Sequence, residues 1–301
     1  MSPTLVRQQL PTSVSMDSDG LPEAVGSRAR ARDWAEIQER MLVPLYEAAY
    51  DRLGVGPGTR LLGLGCGSGL ALLLAAARGA QVSGVDADEW RLELARERLT
   101  PDRGPEPTRL ISGGPEAAAS GDAAFASASA SASASAYNVV TAFHPVGCVS
   151  SVEGLTASLT AATRLVERGG AVVLGGWGPV ERCATAGVLR VAQRRLADAP
   201  RESVVGSAGW RPTHRDDLEE LAERAGLRPD GSGRVACPFG YADLASAVRG
   251  LLSTGLFDRA LEATEQRLVE KELGEALHPH QRADGTVWMP NVFRYLIART
   301  P

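Results

Sequence analysis

The chain has 301 residues, of which 44% are hydrophobic and 23% are charged, and its formal net charge is -4 at pH 7. This length predicts one large domain with a substantial core, and the negative charge argues against binding to nucleic acids or to anionic membranes. No apolar run approaches the roughly 20 residues that cross a bilayer, and residues 1–20 lack the apolar segment of a signal peptide. We therefore expect a cytoplasmic protein that acts on a small molecule.

The first 53 residues fall into two parts. Residues 1–28 are polar and contain several Ser and Pro residues, which predicts a mobile arm. In residues 29–53 apolar side chains recur at helical spacing, and Pro44 predicts a break between two helices. We expect these helices to cover the functional site as a lid.

From residue 54 onward, short apolar strands alternate with helices. The strands are predicted at RLLGLGC, QVSGVDA, TRLISG, YNVVTAF and AVVLGGW, and the helix before the last of these is predicted to end at Gly169 and Gly170. This alternation predicts an α/β fold with a doubly wound, mostly parallel, Rossmann-like sheet, whose ligands lie beyond the carboxyl ends of the strands. Residues 54–178 then form the cofactor-binding core. Residues 179–301 form a helical cap and two late strands that pair antiparallel at one edge and complete a seven-stranded sheet.

The stretch GLGCGSG is a glycine-rich turn after the first strand. Gly65, Gly67 and Gly69 lie two residues apart, whereas the dinucleotide fingerprint places its third glycine three residues after the second. The turn therefore predicts a ligand without a pyrophosphate, which argues against an NAD-linked oxidoreductase. Asp86 ends the next strand 21 residues after Gly65, near the distance at which a carboxylate reaches the ribose hydroxyls. Together the two features predict a nucleoside ligand; the alternative is a tight turn that binds nothing.

The strand, glycine turn, helix and acid resemble the class I S-adenosylmethionine-dependent methyltransferases, over roughly residues 34–177. The similarity is strongest to the group related to ubiquinone and menaquinone biosynthesis methyltransferases, many of which act in bacterial secondary metabolism, including antibiotic biosynthesis. It implies S-adenosylmethionine as the cofactor and a small secondary metabolite as the substrate, methylated at O, C or N. Matched by position, the residues at the cofactor would be Gly65, Cys66, Gly67, Gly69, Asp86, Ala87, Gly114, Pro115, Trp34, Gln38 and Phe143.

Three acids that are usual in this family are absent. Gly63, Gly114 and Asn138 stand in their places. Each lost carboxylate that faces the ligand costs on the order of 1.5 to 3 kcal/mol of binding, unless a nearby acid such as Glu116 or Asp122 replaces it. The Ala-Ser run of residues 124–136 follows directly and predicts a solvated loop.

Three further side chains are candidates for chemistry or for substrate binding. His144 follows the fourth strand, where an imidazole would accept a proton from the substrate as the methyl group arrives; the alternative is a strand cap. Trp177, after the fifth strand, would form a wall of the substrate pocket or pack in the core. Tyr46 has the same two alternatives.

No metal site is predicted. The cysteines at positions 66, 148, 183 and 237 are scattered and favour buried free thiols, and His214, His278 and His280 lack a carboxylate or thiol at ligand spacing.

A homodimer is left open. Because of the missing acids, two other functions stay open: a methyltransferase-like protein that catalyses a cyclisation or rearrangement, and a non-catalytic partner protein.

Overall fold

The computed structural model describes residues 21–99, 108–118, 137–143, 152–197 and 216–301. Its strands are β1 (Arg60–Leu64), β2 (Gln81–Asp86), β3 (Arg109–Ser112), β4 (Tyr137–Ala142), β5 (Val166–Trp177), β6 (Arg228–Ala236), β7 (Phe239–Tyr241), β8 (Val287–Met289) and β9 (Val292–Arg299). Its α-helices are α1 (Leu21–Asp33), α2 (Val43–Leu53), α3 (Leu70–Ala77), α4 (Glu89–Arg98), α5 (Val152–Thr163), α6 (Thr185–Ala197), α7 (Asp217–Arg224), α8 (Leu244–Leu252), α9 (Asp258–Ala263) and α10 (Gln266–Leu277).

Seven strands form the main sheet, in the order β3-β2-β1-β4-β5-β9-β6. Strands β1 to β5 pair in parallel, whereas β9 runs antiparallel to both β5 and β6. This arrangement confirms the predicted fold class and the antiparallel pairing of the two late strands at one edge. The antiparallel strand β9 itself lies one position inside that edge, which β6 occupies.

Apolar side chains cover both faces of the sheet, as a parallel sheet requires. On one face Leu61 and Val173 pack in a cluster with the N-terminal helices and the cap. On the other face Leu62 and Val172 pack with Leu159 of α5, and helix α7 completes this layer. Because β1, β2 and β4 run parallel, their carboxyl ends lie at the same end of the strands, where the functional site was predicted.

Strand β5 begins earlier than the sequence suggests. The helix that was predicted to end at Gly169 and Gly170 already ends at Thr163, and Val166 pairs with Tyr137 of β4. The residues just after β9 hold this stretch extended, because Thr300 donates its backbone N–H to the carbonyl of Gly170 and its hydroxyl proton to the carbonyl of Glu167. The reason for the early strand is thus a contact with the far end of the chain.

The N-terminal segment, residues 21–53, is largely helical. Helix α1 begins at Leu21, inside the stretch 1–28 that was predicted to be an arm, which corrects that boundary. A π-helical turn (Trp34–Gln38) and a 3-10 turn (Glu39–Leu42) follow, and α2 then begins one residue before Pro44, as the predicted helix break requires. The other predicted domain boundaries stay predictions.

Helix α1 is predominantly polar, so contacts with distant parts of the chain stabilise it. Arg30 pairs with Asp258 at 2.5 Å and donates to the carbonyl of Leu252, both in the cap. The cap comprises α6, α8, α9, α10 and the two-stranded sheet of β7 and β8. Helix α2, in contrast, is part of the core, since Tyr50 is fully buried and donates its hydroxyl proton to the carbonyl of Ala71 at 2.9 Å.

A buried ion pair connects this segment to α4, and both partners also bind Ser68, which precedes α3. Arg98 Nη1 lies 2.7 Å from Glu39 Oε2, and the Glu39 side chain is only 2% exposed. The same nitrogen donates to the carbonyl of Ser68 at 3.0 Å, while Nη2 donates to the carbonyl of Ala35 at 3.3 Å. Ser68 Oγ also donates to Glu39 Oε2. One guanidinium thus joins three separate stretches of the chain.

Replacing Arg98 by Met should lower the free energy of unfolding by about 2 to 3 kcal/mol near neutral pH, since it leaves a buried carboxylate without its cation. Burial raises the pKa of Glu39, and Ser68 and Arg98 oppose that rise. Without Arg98 the pKa of Glu39 rises further. The variant is therefore destabilised most at pH values above this pKa, where the carboxyl is charged. The destabilisation fades as the pH falls through this pKa and the carboxyl takes up a proton. Chemical denaturation at about pH 7.5 and about pH 5 measures both effects.

The matched control is Arg96→Met, on the same helix. Arg96 pairs with Glu89 at 2.6 Å, but both side chains are more than 40% exposed, so this variant should change little at either pH. If the Arg98 variant were as stable as the wild type at neutral pH, the buried pair would contribute nothing to the fold.

Candidate active site

The glycine turn connects β1 to α3 and has three residues in the left-handed region. The φ angles are +60° at Gly65, +58° at Gly67 and +80° at Gly69, a conformation that other residues rarely adopt. Space is restricted as well, because a Cβ on Gly67 would lie 2.9 Å from Trp34 Nε1 and 3.1 Å from Glu39 Oε1. The turn therefore needs glycine at position 67 for both reasons.

The Asp86 carboxylate lies against this turn. Asp86 is the last residue of β2, is 7% exposed, and accepts a hydrogen bond from the N–H of Gly67 to Oδ2 at 2.8 Å. Its Oδ1 accepts from the N–H of Asp88 at 2.9 Å. The predicted pairing of the glycine turn with an acid at the end of β2 is thus a direct contact. Ala87, the next residue, is exposed.

The end of β3 lies beside Asp86. The N–H of Gly113 donates to the Asp86 carbonyl at 2.9 Å; Gly114 is exposed and Pro115 is buried. A Cβ on Gly114 would lie 2.7 Å from Glu116 Oε2. A carboxylate therefore stands close to Gly114, the place where the usual acid is absent.

A small cavity lies between the turn, the end of β4 and the N-terminal segment. Its volume is about 20 Å³, which is room for one water molecule and far below the roughly 300 Å³ or more of a typical ligand pocket. Its lining residues are Glu39, Tyr46, Gly63, Leu64, Gly65, Cys66, Ala71, Leu72, Thr141 and Phe143. The Tyr46 and Phe143 rings lie 4.8 Å apart between centroids, and Trp34 covers Gly67 from outside the cavity. The N-terminal segment thus forms one wall of this cavity.

At position 63, where the family usually has an acid, Leu72 and Cys66 pack against the glycine. Gly63 pairs with Gly84 of β2, and a Cβ on either glycine would lie 3.0 Å or less from a Leu72 methyl carbon. A Cβ on Gly84 would also lie 2.7 Å from Cys66 Sγ. Leu72 and Cys66 therefore occupy the space that a side chain at position 63 would need. Burial raises the pKa of the Cys66 thiol, which stays protonated.

Asn138 differs from the other two replacements because it lies far from the turn. It stands at the amino end of β4, accepts from the N–H of Arg60 at 2.8 Å, and donates to the carbonyl of Gly58 at 3.0 Å. The amino ends of parallel strands lie at the edge opposite the carboxyl ends. The change at this position therefore affects the start of β1 and not the site.

Several predicted site residues have other partners. Gln38 Oε1 accepts from the hydroxyl of Tyr241 at 2.9 Å, which ties the N-terminal segment to the cap. Trp177 is buried beside Phe293 and Phe239, at 4.5 and 5.8 Å between ring centroids. Trp34 stacks against the Arg91 guanidinium at 4.8 Å. Asp122, His144, Cys148, His214 and the Ala-Ser run lie outside the described residues.

Sequence reasoning missed Glu39, Ser68 and Arg98. The available signal was that Glu39 lies at helical spacing from buried residues such as Ala35 and Leu42, so that it falls on the core-facing side of its segment. Its partner Arg98 is 59 residues away, and no local pattern connects the two.

Within the described residues, no three His, Cys, Asp or Glu side chains form a group that could hold a metal ion. The same part of the chain contains no helix that is both long and apolar enough to span a membrane. Cys66, Cys183 and Cys237 are buried free thiols, and burial raises the pKa of Cys237 to about 12.

Comparison with known proteins gives a clear family. A family model described as "Methyltransferase domain" matches residues 30–230. No curated protein matches the chain. Solved structures with the same fold include a putative methyltransferase from Bacillus halodurans, with a TM-score of 0.52 and 15% identity over 84% of this chain and 98% of that one.

Two further structures share the fold at 15% identity and a TM-score of 0.50. One is the cyclopropane synthase MmaA2 from Mycobacterium tuberculosis, matched over 85% of this chain and 84% of that one. The other is phosphoethanolamine N-methyltransferase 2 from Haemonchus contortus in complex with S-adenosyl-L-methionine, matched over 92% of this chain and 57% of that one. The family match confirms the predicted enzyme class and the wider family named from the sequence. The chain belongs to the methyltransferase-domain family.

Proposed function

We propose that this protein transfers a methyl group from S-adenosylmethionine to an O, C or N atom of a small secondary metabolite. The observation that carries the proposal is the Asp86 carboxylate, held at 2.8 Å from the N–H of Gly67 on a turn of three left-handed glycines. A carboxylate at this place suits the hydroxyls of a ribose. A structural neighbour with this fold is a complex with S-adenosyl-L-methionine, which supports the choice of nucleoside.

The residues at the turn fit this cofactor in chemistry. Asp86 would hold the ribose, Ala87 and Pro115 would flank the adenine, and the glycine turn with Cys66 would lie along the methionyl part. Tyr46 and Phe143 supply apolar surface at the end of β4. The cavity of about 20 Å³ is too small for the cofactor, so side chains that line or cover it, such as Trp34, would have to move when the cofactor binds.

The bound cofactor would supply a methyl group on a sulfonium, which is already a good leaving group. The protein then has to hold the acceptor in line and, where the acceptor carries a proton, to remove it. We assign the proton acceptor to His144, two residues after the end of β4, and a wall of the substrate pocket to Trp177. A cytoplasmic location, the relation to ubiquinone and menaquinone methyltransferases, and a homodimer stay predictions.

A second candidate function is a cyclisation or rearrangement without methyl transfer. The small volume of the cavity and the packing of Leu72 and Cys66 at Gly63 favour this second function, because both reduce the space for the cofactor. Product mass separates the two functions: methyl transfer makes the product heavier by one methyl group in place of a hydrogen, whereas isomerisation leaves the mass unchanged. A non-catalytic partner protein would show no turnover alone.

Asp86→Asn should weaken the binding of S-adenosylhomocysteine about tenfold to a hundredfold. This corresponds to the roughly 1.5 to 3 kcal/mol that hydrogen bonds to a charged group contribute. Isothermal titration calorimetry measures the dissociation constants of the wild type and the variant.

The matched control is Asp88→Asn, two residues further on. Asp88 caps α4 by accepting from the N–H groups of Trp90 and Arg91, and asparagine can keep that role. This variant should bind as the wild type does. A wild-type protein that binds neither S-adenosylmethionine nor S-adenosylhomocysteine would refute the proposed function.

His144→Ala should lower the rate of methyl transfer by about a hundredfold or more while leaving the dissociation constant of S-adenosylhomocysteine unchanged. The rate is measured as methyl incorporation into a library of small aromatic and cyclic acceptors. His278→Ala serves as the control, because that imidazole is exposed on the cap. An unchanged rate in the His144 variant would show that this side chain is not the proton acceptor.

A further inference from the structure

The N-terminal segment brings a buried carboxylate into the cavity. Glu39 follows directly on the π-helical turn, and this irregular stretch places both Trp34 and Glu39 over Gly67. Glu39 Oε2 carries the hydrogen bonds to Ser68 and Arg98, whereas Oε1 lies 3.1 Å from the position of a Cβ on Gly67. Both oxygens of Glu39 therefore lie against the glycine turn, Oε2 at Ser68 and Oε1 at Gly67.

Glu39 and Gly63 line the same cavity. Position 63 has no side chain, and a Cβ there would lie 3.0 Å from Leu72 Cδ2 and 3.3 Å from Cys66 Cβ, so a larger side chain would require these neighbours to shift. Glu39 thus supplies a carboxylate to the cavity from the N-terminal segment, whereas the first strand supplies none.

The charge balance at the turn favours a cationic ligand group. Two carboxylates, Glu39 and Asp86, and one guanidinium, Arg98, hydrogen-bond to the turn. These three groups together leave one negative charge. An ammonium group carries one positive charge and three donors, so it can donate hydrogen bonds to carboxylate oxygens at the turn.

We propose that Glu39 binds the α-ammonium group of the cofactor's methionyl part, in place of an acid on the first strand. This inference rests on the proposed function. Arg98 and Ser68 are positioning residues that bind Oε2 of Glu39, and the carboxyl also accepts a hydrogen bond from the backbone of Leu70. The proposal assigns Oε1 to the ammonium group.

Three ligands separate this role from others. S-Adenosylmethionine and S-adenosylhomocysteine both carry the ammonium group, and only the first carries a sulfonium. Methylthioadenosine has the adenosine part but no ammonium. Glu39→Gln should therefore weaken both ammonium-bearing ligands by about tenfold or more and leave methylthioadenosine unchanged, as measured by calorimetry.

The matched control is Glu36→Gln, which removes an exposed carboxylate from the same segment and should leave all three dissociation constants unchanged. Equal weakening of all three ligands by Glu39→Gln would mean that Glu39 only maintains the shape of the turn. Weakening of S-adenosylmethionine alone would assign the carboxylate to the sulfonium. Either result, or no weakening at all, overturns the inference while the proposed function stands.

A wild-type protein that binds none of the three ligands overturns the inference together with the proposed function. If Glu39→Gln melts before it can be titrated, the double variant Glu39→Gln with Arg98→Met removes both charges and leaves no buried charge unpaired. The double variant should show the same loss for S-adenosylhomocysteine and the same retained binding of methylthioadenosine. Wild-type affinity for S-adenosylhomocysteine in the double variant would overturn the inference.

Discussion

The buried pair of Glu39 and Arg98 determines how the site is built. A carboxylate that is 2% exposed is stable only if a cation and hydrogen-bond donors accompany it, and Arg98 and Ser68 meet that need. Because Arg98 belongs to α4 and Ser68 to the glycine turn, the pair fixes the N-terminal segment over the turn. This placement brings Trp34 over Gly67 and leaves only a small cavity beside the turn.

The sheet provides the other half of the site, and this half was largely predictable. Apolar strands that alternate with helices predict the parallel order, and the spacing of Gly65, Gly67 and Gly69 predicts the turn, because only glycine tolerates its left-handed angles. The same strand–helix–strand pattern predicts that Asp86 lies at the end of β2. These features depend on short stretches of sequence, and local patterns therefore find them.

What the sequence did not predict depends on contacts between distant residues. Helix α1 has no apolar stripe, and it is held by Arg30, which pairs with Asp258 in the cap. The early start of β5 depends on Thr300, and the role of Glu39 depends on Arg98. In each case a polar side chain acquires its function from a partner that periodicity cannot identify. His144 and the Ala-Ser run lie outside the described residues and stay predictions.

The missing acids have different physical consequences. Asn138 lies at the amino end of β4 and holds the start of β1, so its change does not bear on a ligand at the opposite edge. Glu116 lies close to Gly114, whereas Leu72 and Cys66 fill the space at Gly63. Because the cavity holds only about 20 Å³, a cofactor-sized ligand must move side chains that line it, and the free energy of that rearrangement is subtracted from its intrinsic affinity. The interaction of an ammonium group with Glu39 would offset part of this energy, because Glu39, Asp86 and Arg98 together leave one negative charge at the turn.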